Sequence, residues 1–181
     1  MKWYGLFFFA LFFTNFSNAQ FKEGLLLFEQ RKLSEAKKTL ELVRKNSPDY
    51  YKAIGYLGGI AYLENQPEKA EAMLEEALKK VKDIAEFYYW YGVLVGMRIE
   101  KESLLVRARD ATKVKTAFEK AISLDKKHLG ARWGLMEYYL RAPLIAGGGK
   151  EKAWKMAEEI ETIDKQQGAL AKKRIETNTS K

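Results

Sequence analysis

Four positions of this chain recur at a spacing of 34 residues: Gly24 with Gly58, Ala36 with Ala70, Leu40 with Leu74, and Val43 with Ala77. Gly92 extends the first series by one more step of the same length. A period of this size marks a helix-turn-helix repeat, a unit too small to bury its own apolar face without a neighbour. The residue types agree: a small residue stands where two helices approach, and larger apolar residues fill the face between them. Phe21, Leu25 and Phe28 share one helical face, as do Leu33, Ala36, Leu40 and Val43,. Ser47-Pro48 and Gln66-Pro67 place a proline where a following helix is expected to start, the position proline favours,. No stretch alternates as a strand does, so the expected fold class is all-α.

The spacing resembles the tetratricopeptide repeat, whose unit has a small residue on its first helix, an alanine early on its second and a proline near its end. In the first unit Gly24, Ala36 and Pro48 take those places; in the second, Leu57-Gly58, Ala70, Leu74 and Ala77. The third unit begins with Tyr91-Gly92 and resumes at Val114, Phe118 and Ala121; the fourth carries Leu135-Met136, Tyr139, Ala153, Ala157 and Ile160. The resemblance implies a right-handed α-α superhelix, a tetratricopeptide-like solenoid of about four helix-turn-helix repeats over residues 20–164. It also implies a concave groove lined by the first helices. Carried over position by position, the groove residues are Leu25, Phe28, Gly55, Gly59, Tyr62, Tyr89, Val93, Trp133, Glu137 and Arg141. Tyr89 and Trp133 are the expected aromatic anchors and Glu137 and Arg141 the polar rim, while Gly55 and Gly59 leave one face of their helix bare, either for close helix packing or as a notch that admits a partner. Trp90, about a third of a turn round from Tyr89, is expected in the core.

Two segments depart from the period. The third unit runs ten residues long, and the helical spacing of Val95, Ile99, Val106, Ala111 and Val114 predicts two helices each extended by about a turn, meeting near Glu102-Ser103. In the fourth, Ala142 to Gly149 joins the helices: Pro143 should stop the first, and Leu144 and Ile145 are expected to tuck against the helix ends,. Residues 165–181 read as a capping segment, with a short helix from Ala169 to Glu176 and a disordered tail from Asn178,.

The N-terminus reads separately. Lys2, the eleven-residue apolar run Trp3–Phe13 and the small residues Ser17-Asn18-Ala19 form the pattern of a secretory signal peptide over residues 1–19, cut after Ala19,. Eleven helical residues at about 1.5 Å each fall short of a hydrocarbon core about 30 Å thick. No later run is long enough to span a membrane. The chain has no cysteine, so its stability must come from packing alone. The expected location is the periplasm, with secretion as the alternative.

Residues suited to catalysis or metal binding do not converge. Gly147-Gly148-Gly149-Lys150 lacks the upstream glycine, the following Ser/Thr and the preceding strand of a phosphate loop,. His128 is the single histidine, expected to be solvated, and no nucleophile motif accompanies it,. The formal charge of +8 is spread over pairs such as Lys37-Lys38 and Lys126-Lys127, with acidic residues close by. That distribution describes a solvated helix surface better than a nucleic-acid face. The expectation is a non-enzymatic scaffold of the cell envelope, without cofactor or metal, that binds a protein or peptide. The alternatives are a structural subunit with the groove buried in a homo-oligomer or envelope assembly, a groove filled by the chain's own tail, or a small-molecule or glycan binder.

Overall fold

The computed structural model describes residues 18–178, which are helical with no strand. The chain divides into two compact units at Lys82–Asp83, the boundary between the second and third repeats. In the first, helices α1 (residues 18–29), α2 (Leu33–Glu41), α3 (Tyr50–Leu63) and α4 (Pro67–Leu78) form two pairs. In the second, α5 (Ala85–Ile99), α6 (Leu104–Leu124), α7 (Leu129–Arg141) and α8 (Lys150–Ile163) form two more, and α9 (Lys165–Asn178) packs on α8 and α7.

The recurrent glycines do the same work in three repeats. A methyl group on Gly24 would lie 2.7 Å from Leu40, one on Gly58 3.0 Å from Leu74, and one on Gly92 2.9 Å from the Phe118 ring. The first helix of each pair thus gives up a side chain, and the second fills the space with its bulkiest apolar residue. Ala36, Ala70, Leu74, Ala77 and Ala121 are completely buried on the second helices. Phe118 is gripped from both sides, because a methyl group on Gly134 of α7 would lie 2.4 Å from the same ring.

The period extends to the backbone. Arg31 and Asn65, 34 residues apart, both adopt left-handed conformations, at φ 62° and 58°. Each forms the same double hydrogen bond at a helix end: Arg31 N–H to Phe28 O and Lys32 N–H to Leu27 O, then Asn65 N–H to Tyr62 O and Gln66 N–H to Ala61 O. This is the Schellman arrangement, in which a left-handed residue lets the chain double back and satisfies the last carbonyls. Pro67 follows as the first residue of α4, as expected.

Several boundaries differ from the sequence reading. Helix α2 ends at Glu41, and α3 starts at Tyr50 rather than at Pro48. Ser47 is not the residue before the helix; it turns the chain, its hydroxyl accepting from Asp49 N–H at 3.3 Å. The long third unit is fully helical apart from a turn at 100–103, but the extension is unequal. From Gly58, α3 runs on to Leu63, and from Gly92, α5 runs on to Ile99; yet α4 starts seven residues before Leu74, and α6 fourteen before Phe118. Most of the insertion therefore lengthens the start of α6.

The 142–149 segment also corrects an expectation. Leu144 and Ile145 do not tuck in; they lie in a 3-10 turn, Leu144–Ala146, at 82% and 99% exposure. The turn is held from below, by Tyr138 Oη donating to Ala146 O at 2.5 Å, Lys152 Nζ to Gly147 O at 2.9 Å and Gly149 N–H to Tyr139 O at 2.8 Å. A side chain at 148 would have its Cβ 1.8 Å from Ala142 O, so only glycine fits there. Helix α9 is longer than the expected cap, with Ala171 and Ile175 completely buried. Asn178, expected to begin the disordered tail, is instead its last residue; the rest of that tail, 179–181, and most of the expected signal segment, residues 1–17, lie outside the described residues. The expected cleavage point after Ala19 falls inside α1.

Candidate binding surface

The ten groove residues all lie on first helices: α1 and α3 in one unit, α5 and α7 in the other. In the first unit Leu25 and Phe28 are half-buried against the core of Phe21, Leu40, Leu57 and Ile60. The Phe28 ring meets Tyr56 of α3 edge-on, with centroids 5.4 Å apart. Gly55 and Gly59 are both buried in α3, as close packing against the bare face requires, and Ala53 and Leu57–Ala61 are buried as well. Tyr62 is half-buried.

In the second unit the two proposed anchors are partly committed to packing. The Tyr89 ring covers Gly130, where a methyl group would come within 2.9 Å of it, and tilts against Phe118 and His128 at 6.3 and 5.0 Å. Tyr89 is thus a wedge between α5 and α7 as well as a surface residue, and its removal is expected to weaken the fold. Trp133 donates its indole N–H to Gln167 Oε1 of α9 at 3.1 Å. Val93 is half-buried against the core. Trp90 is buried and stacks on Phe87 with centroids 6.0 Å apart.

Glu137 is the electrostatic centre of the α7 face. Arg174 of α9 binds it with both arms, Nε to Oε1 at 2.6 Å and Nη2 to Oε2 at 3.1 Å, and Arg141 Nε donates to Oε2 at 3.2 Å. Partial burial acts to raise the carboxyl pKa, but the hydrogen bonds and charges of Arg174 and Arg141 outweigh it and hold the group below its usual range,. Arg174 is shifted upward in return, mainly by its hydrogen bond to Glu137. Arg141 also pairs with Glu100 in the α5–α6 turn. Sequence reasoning found Trp133, Glu137 and Arg141 but missed their partners Gln167 and Arg174, which lie in the segment read as a cap.

His128 is not solvated. Its side chain is 9% exposed and caps α7: Nδ1 accepts from Ala131 N–H at 3.1 Å, which leaves Nε2–H to donate to Glu86 at 3.0 Å. One tautomer satisfies both bonds. The signal was present in sequence, since His128 stands directly before a helix. Among the described residues no three His, Asp or Glu side chains gather in a way that could hold a metal ion.

Comparison with known proteins agrees with this geometry. Residues 27–90 match the family model of the tetratricopeptide repeat. Superkiller complex protein 3 of Mus musculus is 26% identical over 152 residues, which cover 82% of this chain. The chain spans only 9% of that relative's length. Among solved structures, MamA superposes with a TM-score of 0.59 at 18% identity, covering 91% of this chain and 86% of that one. YrrB, described as a TPR protein with an unusual peptide-binding site, gives 0.59 at 13% identity, covering 87% and 76%. The fold is an all-α helical repeat of the tetratricopeptide type. Scaffolds of this class commonly mediate protein–protein interaction.

Proposed function

We propose that the chain is an exported, non-enzymatic scaffold of the cell envelope that recognises a protein or peptide on the open faces of its first helices. One observation carries the reading. Along α7, Leu135, Met136 and Tyr138 are buried, while Trp133, Glu137 and Arg141 follow one another at four-residue spacing and stay partly open. The same division holds on α5, where Phe87, Trp90 and Leu94 are buried and Tyr89, Val93 and Met97 form the parallel stripe. Such a surface offers aromatic and aliphatic area beside a few fixed charges, the composition of binding hot spots. The peptide-binding site named for YrrB supports the same use of the fold.

The test is capture from the envelope fraction of source cells by the immobilised chain and by a Met97→Glu, Arg141→Glu double variant, both positions being exposed. The proposal predicts a partner retained by the parent and lost by the variant at unchanged helix content. Equal retention by both would place the partner elsewhere and remove the assignment.

A further inference from the structure

A second surface lies at the turn edge of the unit 83–181, where first helices give way to second helices, and it shares only Arg141 with the proposed groove. Its tip is the Leu144–Ile145 pair. Two large apolar side chains held at 82% and 99% exposure cost free energy in water, at about 25 cal/mol per Å² of apolar surface,. The hydrogen bonds from Tyr138, Lys152 and Gly149 hold the turn in place, and Gly148 admits no bulkier residue. The display is built into the loop.

The surroundings of the tip are basic. Over residues 98–113 and 141–152 the sequence places eight Lys or Arg against four Asp or Glu. These segments form one edge, because the 3-10 turn lies against α6 and Arg141 pairs with Glu100 in the α5–α6 turn. One acid is wholly spent: Asp110, 1% exposed, is covered by Arg98, Arg109 and Lys113 at 3.2, 2.9 and 3.1 Å. Three cations on one carboxylate leave local positive charge. Lys101, Arg107, Lys150 and Lys152, on the same two segments, are exposed.

We propose that this edge docks the protein on an anionic lipid bilayer, the Leu144–Ile145 tip entering the headgroup region and the basic rim pairing with acidic lipids. Among the described residues no helix is long and apolar enough to cross a membrane, so the mode is peripheral. Charge complementarity selects this occupant. An exposed apolar tip on a basic edge gains from both parts of an anionic interface, which needs no shape-matched pocket,.

The chain has no cysteine, so Ile145→Cys can carry a polarity-sensitive fluorophore at a single site, with Glu158→Cys, exposed on α8, as the control position. Phosphatidylcholine vesicles with and without phosphatidylglycerol are the probes. The expected result is a blue shift and several-fold brightening at 145 with anionic vesicles only, reversed by salt and absent at 158. Lys150→Gln should weaken partitioning about fivefold, the effect of one cation near such a surface. An unchanged signal at 145, equal signals at 145 and 158, or equal response to uncharged vesicles would overturn the proposal. A shift that appears on concentrating the protein without vesicles would overturn it too, in favour of a second copy covering the tip.

Discussion

The grip on Phe118 can be tested by adding single methyl groups to glycines on both sides of it. Gly92→Ala brings a carbon to 2.9 Å from the ring, Gly134→Ala to 2.4 Å, and Gly96→Ala meets only Val114 at 3.9 Å, an ordinary contact. In a helix interior the exchange of glycine for alanine stabilises by roughly 0.5–1 kcal/mol, and at Gly96 nothing opposes that gain. At Gly92 and Gly134 the ring cannot retreat, because each glycine blocks its escape from the other. Overpacking of this kind costs about 1–3 kcal/mol. The net expectation is a gain of about 0.5 kcal/mol for Gly96→Ala, a loss of about 1 for Gly92→Ala and of about 2 for Gly134→Ala. At about 2–4 °C per kcal/mol for a chain of this size, thermal unfolding followed by circular dichroism should rank the three in that order. Phe118→Leu combined with Gly134→Ala should recover part of the loss. If all three alanines raise the midpoint alike, the ring does not occupy the space between the two glycines and the packing argument fails.

Other consequences follow from single residues. Arg31→Gly should stabilise the first unit by about 0.5 kcal/mol and Asn65→Val destabilise it by about 1–2, since a β-branched residue resists the left-handed conformation; denaturant titration of both variants checks the sign. His128→Ala should cost about 1–2 kcal/mol through loss of the α7 cap, whereas His128→Asn, which can still cap, should recover much of it. Asp110 and Glu137 both have folded pKa values held below the unfolded range by their cationic partners. Their contributions are therefore complete above the unfolded carboxylate pKa, near 4, and are lost as pH falls below it. The midpoint should drop in that acid window, less steeply in Asp110→Asn. For the proposed export, N-terminal sequencing of protein recovered from source cells should begin at Gln20; intact Met1 in a cytoplasmic fraction would contradict it.

Much of the repeat was legible because it rests on contacts between residues at fixed spacing. Gly24, Gly58 and Gly92 were readable as close-approach positions, and the structure supplies their partners in Leu40, Leu74 and Phe118. Arg31 escaped notice because arginine carries no turn signal, although it matches Asn65 in the period. The insertion kept helical spacing throughout, so its helicity could be read, but spacing alone does not say which of two antiparallel helices takes the extra turns. Leu144 and Ile145 were misplaced by assuming that apolar residues go inside, a rule that works in one direction only. At the candidate surface, the α7 stripe came from the resemblance to the tetratricopeptide repeat, whose groove positions fall on Trp133, Glu137 and Arg141. Its ion-pair partner was hidden because Arg174 lies 37 residues on, in a helix whose mostly polar sequence shows its buried side only through Gly168, Ala171 and Ile175.

The central claim is that the first helices, not the second, meet the partner. A photo-crosslinking amino acid placed singly at Tyr62 and Val93 on first helices, and at Glu76 and Lys120, exposed on second helices, tests it in the source cell. The account predicts protein adducts from Tyr62 and Val93 and none from Glu76 and Lys120. Adducts from the second helices alone, or equally from all four positions, would contradict it.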